Sequence, residues 1–169
     1  MIKTFIIAAI SLDGFIAKNA EDTSTSWTSG ADKKFFMERT KQSGVVIMGS
    51  TTYSTIGRPL KDRLNIVYSS KITNLEGVEL TMKKPADLLS DLETRGYKEV
   101  AICGGASIYT MFLEANLVDT LYLTIEPKLF GKGVSLLNKL TNVSLTLATT
   151  KHLSKDVLLL EYKVDRSHP

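Results

Sequence analysis

The sequence predicts an α/β fold with one mixed, mostly parallel sheet of eight strands and helices on both faces of that sheet. From residue 5 to residue 115, short apolar runs rich in β-branched residues alternate with amphipathic helical segments. This alternation is typical of a mostly parallel sheet. Beyond residue 119 the strand-like segments have only short links, which indicates an antiparallel edge or hairpin.

Eight strands are predicted from these patterns, at residues 5–10, 45–48, 65–68, 78–81, 100–103, 120–126, 143–150 and 157–164. Three helices are predicted at residues 31–41, 85–95 and 107–115. The first helix is expected to carry Phe35, Phe36 and Met37 on one side. A fourth helix is expected to open at Ser50, after the second strand.

Composition narrows the class of protein. The 169 residues fit one domain, expected over residues 1–164, followed by a polar tail over residues 165–169. The net charge of +3 is mild and forms no basic stripe, so we expect an anionic small-molecule ligand and no nucleic acid. The lone Cys103 fits a reducing compartment. The apolar start is short and lacks a convincing cleavage site, so it is interpreted as the first strand of a cytoplasmic protein. No membrane span and no metal site are expected.

The clearest motif is a strand, a Gly104-Gly105 turn and a helix start at residues 102–109. Glycines allow a ligand to approach the backbone closely, and a helix amino terminus suits a pyrophosphate. The same pattern also fits a tight strand-to-helix turn that binds nothing.

A second turn of this kind follows residues 45–48, where Gly49 leads into Ser50, Thr51 and Thr52. These hydroxyl residues suit helix capping as well as phosphate binding. Two such turns in one sheet would hold the two ends of a dinucleotide.

Two further features carry charge. Asp32 lies near the start of a helix whose other face is apolar, where it either offsets the helix dipole or serves a site. Arg58 and Arg63 flank a turn before a strand, which is either a solvated loop or a clamp that holds a carboxylate bidentately.

In this order and spacing, these motifs resemble the dihydrofolate reductase family over residues 5–126. The most specific part runs from Met48-Gly49 to Arg63. The resemblance implies a single-domain, three-layer α/β fold that reduces 7,8-dihydrofolate to tetrahydrofolate by hydride transfer from NADPH. It also implies a monomer or a homodimer.

The resemblance assigns roles to individual residues. Asp32 would hold the pteridine ring and Trp27 would hold an ordered water near it, and these two are the catalytic candidates. Arg63 would pair with the glutamate carboxylate of the substrate, and Thr124 would brace Asp32. The implied substrate pocket consists of Ile7, Asp32, Phe36, Ile56, Leu60, Arg63, Tyr109 and Thr124.

The implied cofactor site is larger. Ala9 and Ile16 would flank the nicotinamide, while Thr52 and the Gly104-Gly105 turn, with a cis peptide bond, would hold the pyrophosphate. The full set is Ala9, Ile16, Gly49, Ser50, Thr51, Thr52, Ser69, Ser70, Lys71, Cys103, Gly104, Gly105, Ala106, Ser107 and Ile108.

The sequence departs from the family pattern at several places. Ser50 stands where an arginine usually contacts the 2′-phosphate of the cofactor, although Ser70, Lys71 and Ser107 lie where they could substitute for it. The loop over residues 20–26 is longer and more polar than usual, and Cys103 replaces an apolar residue. Phe130-Gly131-Lys132-Gly133 replaces an acidic, threonine-containing loop.

Two segments, residues 11–17 and 129–133, resemble instead the riboflavin-pathway reductase domain, a relative of the same fold that acts on a ribosylaminopyrimidine phosphate. That enzyme does not need Asp32 together with the segment 56–63. Three hypotheses therefore follow from the sequence: a dihydrofolate reductase, a riboflavin-pathway pyrimidine reductase, and a nucleotide-binding module without turnover.

Overall fold

The computed structural model describes residues 1–22, 24–71, 74–139 and 142–165. Its strands are β1 (Lys3–Ser11), β2 (Phe15–Ala17), β3 (Val45–Gly49), β4 (Leu64–Tyr68), β5 (Glu79–Thr81), β6 (Glu99–Ile102), β7 (Thr120–Glu126), β8 (Val134–Ser135), β9 (Ser144–Ser154) and β10 (Val157–Asp165). Its helices are α1 (Ser24–Trp27), α2 (Gly30–Ser43), α3 (Ser50–Ile56), α4 (Pro85–Thr94) and α5 (Ala106–Glu114).

Eight of these strands form one sheet in the order β5-β4-β3-β6-β1-β7-β10-β9. The pairs from β5 through to β7 are all parallel, and β10 runs antiparallel to both β7 and β9. The predicted fold class, a mostly parallel eight-stranded sheet with an antiparallel hairpin at one edge, is confirmed. The central β1 is buried between two parallel neighbours, which explains its nearly continuous apolar run.

The sheet separates two apolar clusters, because successive side chains of a strand point to opposite faces. Ile6 and Ala8 of β1 belong to the first cluster, while Phe5 and Ile7 belong to the second. Helices α4 and α5 cover the first cluster and contribute Leu88, Leu89, Leu92, Leu113 and Phe112. Helices α2 and α3 cover the second, so helices lie on both faces as expected.

One detail of α2 was predicted wrongly. Phe35 and Phe36 are half-buried against the second cluster, but the side chain of Met37 is 43% exposed. Consecutive helical residues are about 100° apart, so three in a row span too wide an arc for one apolar face.

Other differences concern short elements and boundaries. Helix α1 and the two-stranded sheet of β2 and β8 were not predicted from the sequence. Strand β9 extends four residues past its predicted end, to Ser154, and β10 includes Asp165, which was assigned to the tail. Residues 166–169 of that tail lie outside the described residues. Across the ranges that the structure describes, no helix is both long and apolar enough to cross a membrane.

Candidate functional site

The two glycine turns lie side by side at the carboxyl ends of β3 and β6. The backbone N–H of Gly49 donates to the carbonyl of Gly104 at 2.8 Å, and the N–H of Cys103 donates to the carbonyl of Ile47 at 2.8 Å. In open α/β sheets, ligands bind in the crevice outside the carboxyl ends of the strands. The structure therefore brings the two predicted phosphate-type turns together in the place where that fold class binds ligands.

The Gly104-Gly105 turn requires glycine at its first position. The peptide bond between these residues is cis, as the resemblance implied, and Gly104 has a φ of 112°. A Cβ on Gly104 would lie 3.0 Å from the hydroxyl of Tyr109, and one on Gly105 would lie 3.4 Å from Oγ1 of Thr52. Helix α5 begins directly after this turn without a side-chain cap, so its first N–H groups lie at the turn.

A surface cleft continues from these turns along the ends of β4 and β5. Its lining residues are Ser50, Tyr68, Ser69, Ser70, Thr81, Met82, Lys83, Lys84, Pro85 and Met111. Three predicted cofactor residues, Ser50, Ser69 and Ser70, are thus brought together. Lys71 is not part of this lining, and Lys83 and Lys84 supply its positive charge instead. The sequence contains the signal for them, a Lys-Lys pair just before the helix-opening Pro85.

Other residues of the predicted cofactor set are engaged within the protein. Ser107 accepts a hydrogen bond from the amide of Asn138 at 2.8 Å. Ile108 is buried in the first apolar cluster, where it lies 3.3 Å from the position of a Cβ on Gly49. Ala9 is half-buried and pairs with Thr124 in the sheet. The half-buried Ile16 packs against the first cluster, Ala106 is half-buried and Thr51 is exposed.

Asp32 lies in the first turn of α2, whose N-cap is Ser29. Its carboxyl hydrogen-bonds with the side chains of Thr124 and Thr28. Burial raises the pKa of Asp32 above its usual value, and the negative charge of Glu126 adds to that rise, while the two threonines and Lys33 oppose it. A partly buried acid with a raised pKa and defined partners is a candidate for binding or proton chemistry, beyond a helix dipole role.

The predicted apolar pocket residues gather in the second cluster. Ile7 and Leu60 are buried there, and Phe36 and Ile56 pack against them. Cys103 belongs to the same cluster, and burial raises the pKa of its thiol well above the usual range. It therefore remains an unreactive thiol in the pocket wall.

Tyr109 is buried in the first apolar cluster, on the opposite face of the sheet from Ile7 and Leu60. Its hydroxyl donates to the carbonyl of Ile7 at 2.9 Å, which fixes α5 against β1. The phenol group is therefore committed to the backbone, and the structure does not group Tyr109 with the other predicted substrate-pocket residues.

Arg63 is held in one orientation by the protein. Its Nε donates to the carbonyl of Lys61 at 2.8 Å, and its Nη1 donates to Oγ1 of Thr40 on α2. Arg58, the other arginine of the turn, is exposed. These bonds order the guanidinium in advance, which would lower the entropic cost of binding a carboxylate.

Trp27 is buried, and its indole Nε1 has no hydrogen-bond partner within the described part of the chain. Its ring packs edge-to-face on Phe130, with the centroids 5.0 Å apart. Buried indole N–H groups are usually satisfied, so a bound water or ligand is the expected partner of this one.

The two segments with riboflavin-reductase character contact each other. The carboxylate of Asp13 accepts hydrogen bonds from the backbone N–H of Phe130 at 3.1 Å and of Gly131 at 2.7 Å. A Cβ on Gly133 would lie 2.3 Å from the carbonyl oxygen of Ala17, so the loop packs directly on β2. This contact closes the loop over the ring of Trp27.

Sequence reasoning missed Glu126, the last residue of β7. Its Oε1 accepts hydrogen bonds from the backbone N–H of Ser29 at 2.8 Å and from the hydroxyl of Ser29 at 2.7 Å. The only signal in the sequence was an acidic residue at the end of a strand, two positions after Thr124 and so on the same face. An acidic residue at a strand end is usually exposed.

Comparison with known proteins identifies the family. The dihydrofolate reductase family model matches residues 3–157. Dihydrofolate reductase type 3 of Salmonella typhimurium is 37% identical over 130 residues, which cover 75% of this chain and 74% of that protein. The chain therefore belongs to the dihydrofolate reductase family, a family of oxidoreductases.

Solved structures agree on the fold. A Shewanella sp. PV-4 protein, whose name assigns it provisionally to riboflavin biosynthesis, is similar with a TM-score of 0.83 and 23% identity, over 98% of this chain and 100% of that one. Dihydrofolate reductase from Enterococcus faecalis, complexed with NADP(H), is similar with a TM-score of 0.72 and 23% identity, over 96% and 94% of the two chains. Both branches of the fold are thus represented among the neighbours.

Proposed function

We propose that this protein reduces 7,8-dihydrofolate to tetrahydrofolate with hydride from NADPH. The observation that carries the proposal is Asp32, a partly buried carboxyl bonded to Thr124 at the edge of an apolar cluster. Such a carboxyl suits an amino-bearing ring that donates hydrogen bonds to it. The fixed guanidinium of Arg63 supports the proposal, because dihydrofolate ends in a glutamate whose carboxylate needs a cation.

The residues present fit a dinucleotide cofactor. The Gly104-Gly105 turn, with Thr52 packed beside it, leads directly into the uncapped start of α5, and the N–H groups of that helix start suit a pyrophosphate. The cleft lined by Ser50 and Lys84 would hold the phosphorylated ribose end. When bound, the cofactor supplies the hydride for C6 of the substrate.

The protein's own contribution is orientation, exclusion of water and control of one proton. The apolar cluster around Ile7 and Leu60 would hold the ring system away from solvent. Asp32 would fix the ring through its amino group and ring N–H, and would raise the ring's affinity for the proton that N5 requires. The buried N–H of Trp27 would hold the ordered water through which that proton arrives.

The direct test is oxidation of NADPH by the purified protein, followed at 340 nm. Dihydrofolate is expected to start the reaction, and the ribosylaminopyrimidine phosphate of the riboflavin pathway is not. Reaction with the pyrimidine alone would replace this proposal by the second candidate. NADPH binding without turnover of either substrate would instead indicate a nucleotide-binding module.

The second candidate, the riboflavin-pathway pyrimidine reductase, is favoured by one specific observation. The contact between Asp13 and the loop at Phe130–Gly131 joins the two segments that resemble that enzyme. The contact also lies next to Trp27, because the ring of Phe130 packs on the indole. That enzyme does not need Asp32 together with the segment 56–63, which is the reason for placing dihydrofolate first.

NADPH is expected to be preferred over NADH although Ser50 replaces the usual arginine. Lys84 lines the cleft next to Ser50, while Lys83 is partly engaged in an ion pair with Asp91 at 3.2 Å. Lys84→Ala should raise KM for NADPH about tenfold and leave KM for NADH unchanged, because a charge-assisted pair with the 2′-phosphate is lost.

The matched control is Lys98→Ala, which removes an exposed lysine outside the cleft and should alter neither constant. Ser50→Arg should tighten NADPH binding. An equal or lower KM for NADH in the parent protein would contradict the assignment of this cleft to the 2′-phosphate.

A further inference from the structure

Glu126 is a buried carboxylate beside the candidate pocket that the proposed mechanism has not used. Its side chain is 2% exposed at the end of β7, two residues after Thr124. Residues two apart in a strand point to the same face, so Glu126 and Thr124 both face the layer of α2. Burial of a carboxylate to this degree is costly unless the group is held by hydrogen bonds.

The partner of Glu126 is the N-cap of the helix that carries Asp32. Oε1 of Glu126 accepts from both the N–H and the hydroxyl of Ser29. The same hydroxyl oxygen accepts the backbone N–H of Asp32 at 3.1 Å. A continuous series of hydrogen bonds therefore runs from the end of β7, through the N-cap, to the backbone of Asp32.

We propose that Glu126 is a positioning residue for the reaction: it holds the first turn of α2 on β7, so that the Asp32 carboxyl meets Thr124, and it places a second negative charge beside that carboxyl. This inference rests on the proposed function for its kinetic consequence. The hydrogen-bonded arrangement itself is independent of which substrate is reduced.

The charge has a defined direction of effect. The groups that face Asp32 are Glu126 and Thr124 from β7, Thr28 before the helix, Lys33 from α2 and the neutral phenol of Tyr109 from α5. After burial, which raises the pKa of Asp32 most, the charge of Glu126 raises it further, and Lys33 acts in the opposite direction. Asp32 therefore retains its proton to a higher pH than it would without Glu126.

This matters because the reaction needs one added proton in the complex of enzyme and substrate. That proton enters either on the Asp32 carboxyl or on the ring, and the two routes give the same net protonation. The value of kcat/KM should therefore fall as pH rises through the pKa of Asp32 in the free enzyme. Glu126 extends activity toward alkaline pH.

Glu126→Gln tests the charge, because its amide oxygen can still accept both hydrogen bonds from Ser29. We expect the alkaline fall in kcat/KM for dihydrofolate to move to lower pH, so that the variant is about three- to tenfold slower than the parent on the alkaline side of this fall and equal to it at pH values where Asp32 is protonated in both proteins. The ¹³C carboxyl resonance of Asp32, assigned with Asp32→Asn, should titrate at lower pH in the variant.

Glu99→Gln is the matched control, since Glu99 also ties α2 to the sheet, through Arg39 at 2.6 and 2.8 Å. It should lower Tm without moving either pH curve, as a merely structural carboxylate would. Ser29→Ala separates positioning from charge: KM for dihydrofolate should rise at least about threefold while the titration of Asp32 stays in place.

An Asp32 titration that is identical in the parent and in Glu126→Gln overturns the charge role. If that variant does not fold, an unchanged KM in Ser29→Ala overturns the positioning role. The Asp32 resonance can be measured without turnover, so the two proposals can fail separately. If the parent protein does not reduce dihydrofolate but the titration of Asp32 still shifts in Glu126→Gln, the proposed function is refuted and the positioning and charge roles of Glu126 are not.

Discussion

Asp32→Asn is expected to remain folded and to bind NADPH, yet to lose at least about a hundredfold in kcat/KM for dihydrofolate. Asparagine can keep a hydrogen bond with Thr124, but it cannot carry the charge that favours the protonated ring. Some activity should return at low pH, where solvent protonates the substrate. Steady-state kinetics from pH 5 to pH 9 measure both effects.

The stability of Asp32→Asn, unlike its activity, should not decrease. The folded-state pKa of Asp32 is raised, so its carboxyl favours folding only when protonated and disfavours it once pH exceeds the folded pKa. Removing the charge should therefore leave Tm at pH 7 unchanged or slightly higher. A residue that costs stability where the protein works is a typical functional residue.

Asp87→Asn is the matched control, because Asp87 is an exposed acidic residue in the first turn of α4. It should lower Tm slightly by weakening a favourable helix dipole interaction and leave kinetics unchanged. If Asp32→Asn instead behaves like Asp87→Asn and turns over dihydrofolate at the parent rate near pH 7, Asp32 only offsets the helix dipole.

Arg63→Ala is expected to raise KM for dihydrofolate and to leave kcat nearly unchanged, the pattern for binding energy that the ground state and the transition state share. Loss of a partly desolvated pair with the glutamate carboxylate should cost about 2–4 kcal/mol, which is roughly 30- to 900-fold in kcat/KM. Arg63→Lys should recover only part of this, because lysine lacks the planar fork that binds a carboxylate bidentately.

The substrate offers its own control. A dihydropterin without the aminobenzoyl-glutamate tail should react equally with the parent and with Arg63→Ala, since no carboxylate remains to be bound. Arg58→Ala tests the other arginine of the turn, which is exposed, and little change is expected. Normal dihydrofolate kinetics in Arg63→Ala would remove the main substrate-side argument and favour the pyrimidine reductase.

Local sequence patterns predicted the strands of the sheet and most of the helices. Strand and helix formation depends largely on residues that are close together in the sequence, so such patterns are informative. β-Branched apolar runs indicated the buried strands, and glycines followed by hydroxyl residues indicated the two turns that meet at Gly49 and Gly104. The roles proposed for Asp32, Arg63 and Trp27 came from the family resemblance, not from periodicity. Those roles stay predictions.

Only the tertiary structure determined the contacts between residues that are far apart in the chain. Glu126 meets Ser29 across 97 positions, and Asp13 meets Phe130 across 117. Lys84 was visible as half of a basic pair, but only the fold places it beside Ser50. From its sequence neighbours alone, an isolated charged residue is predicted to be exposed. Burial and a polar partner from another strand or helix are what turn such a residue into part of a site, and both are set by how the sheet and helices pack together.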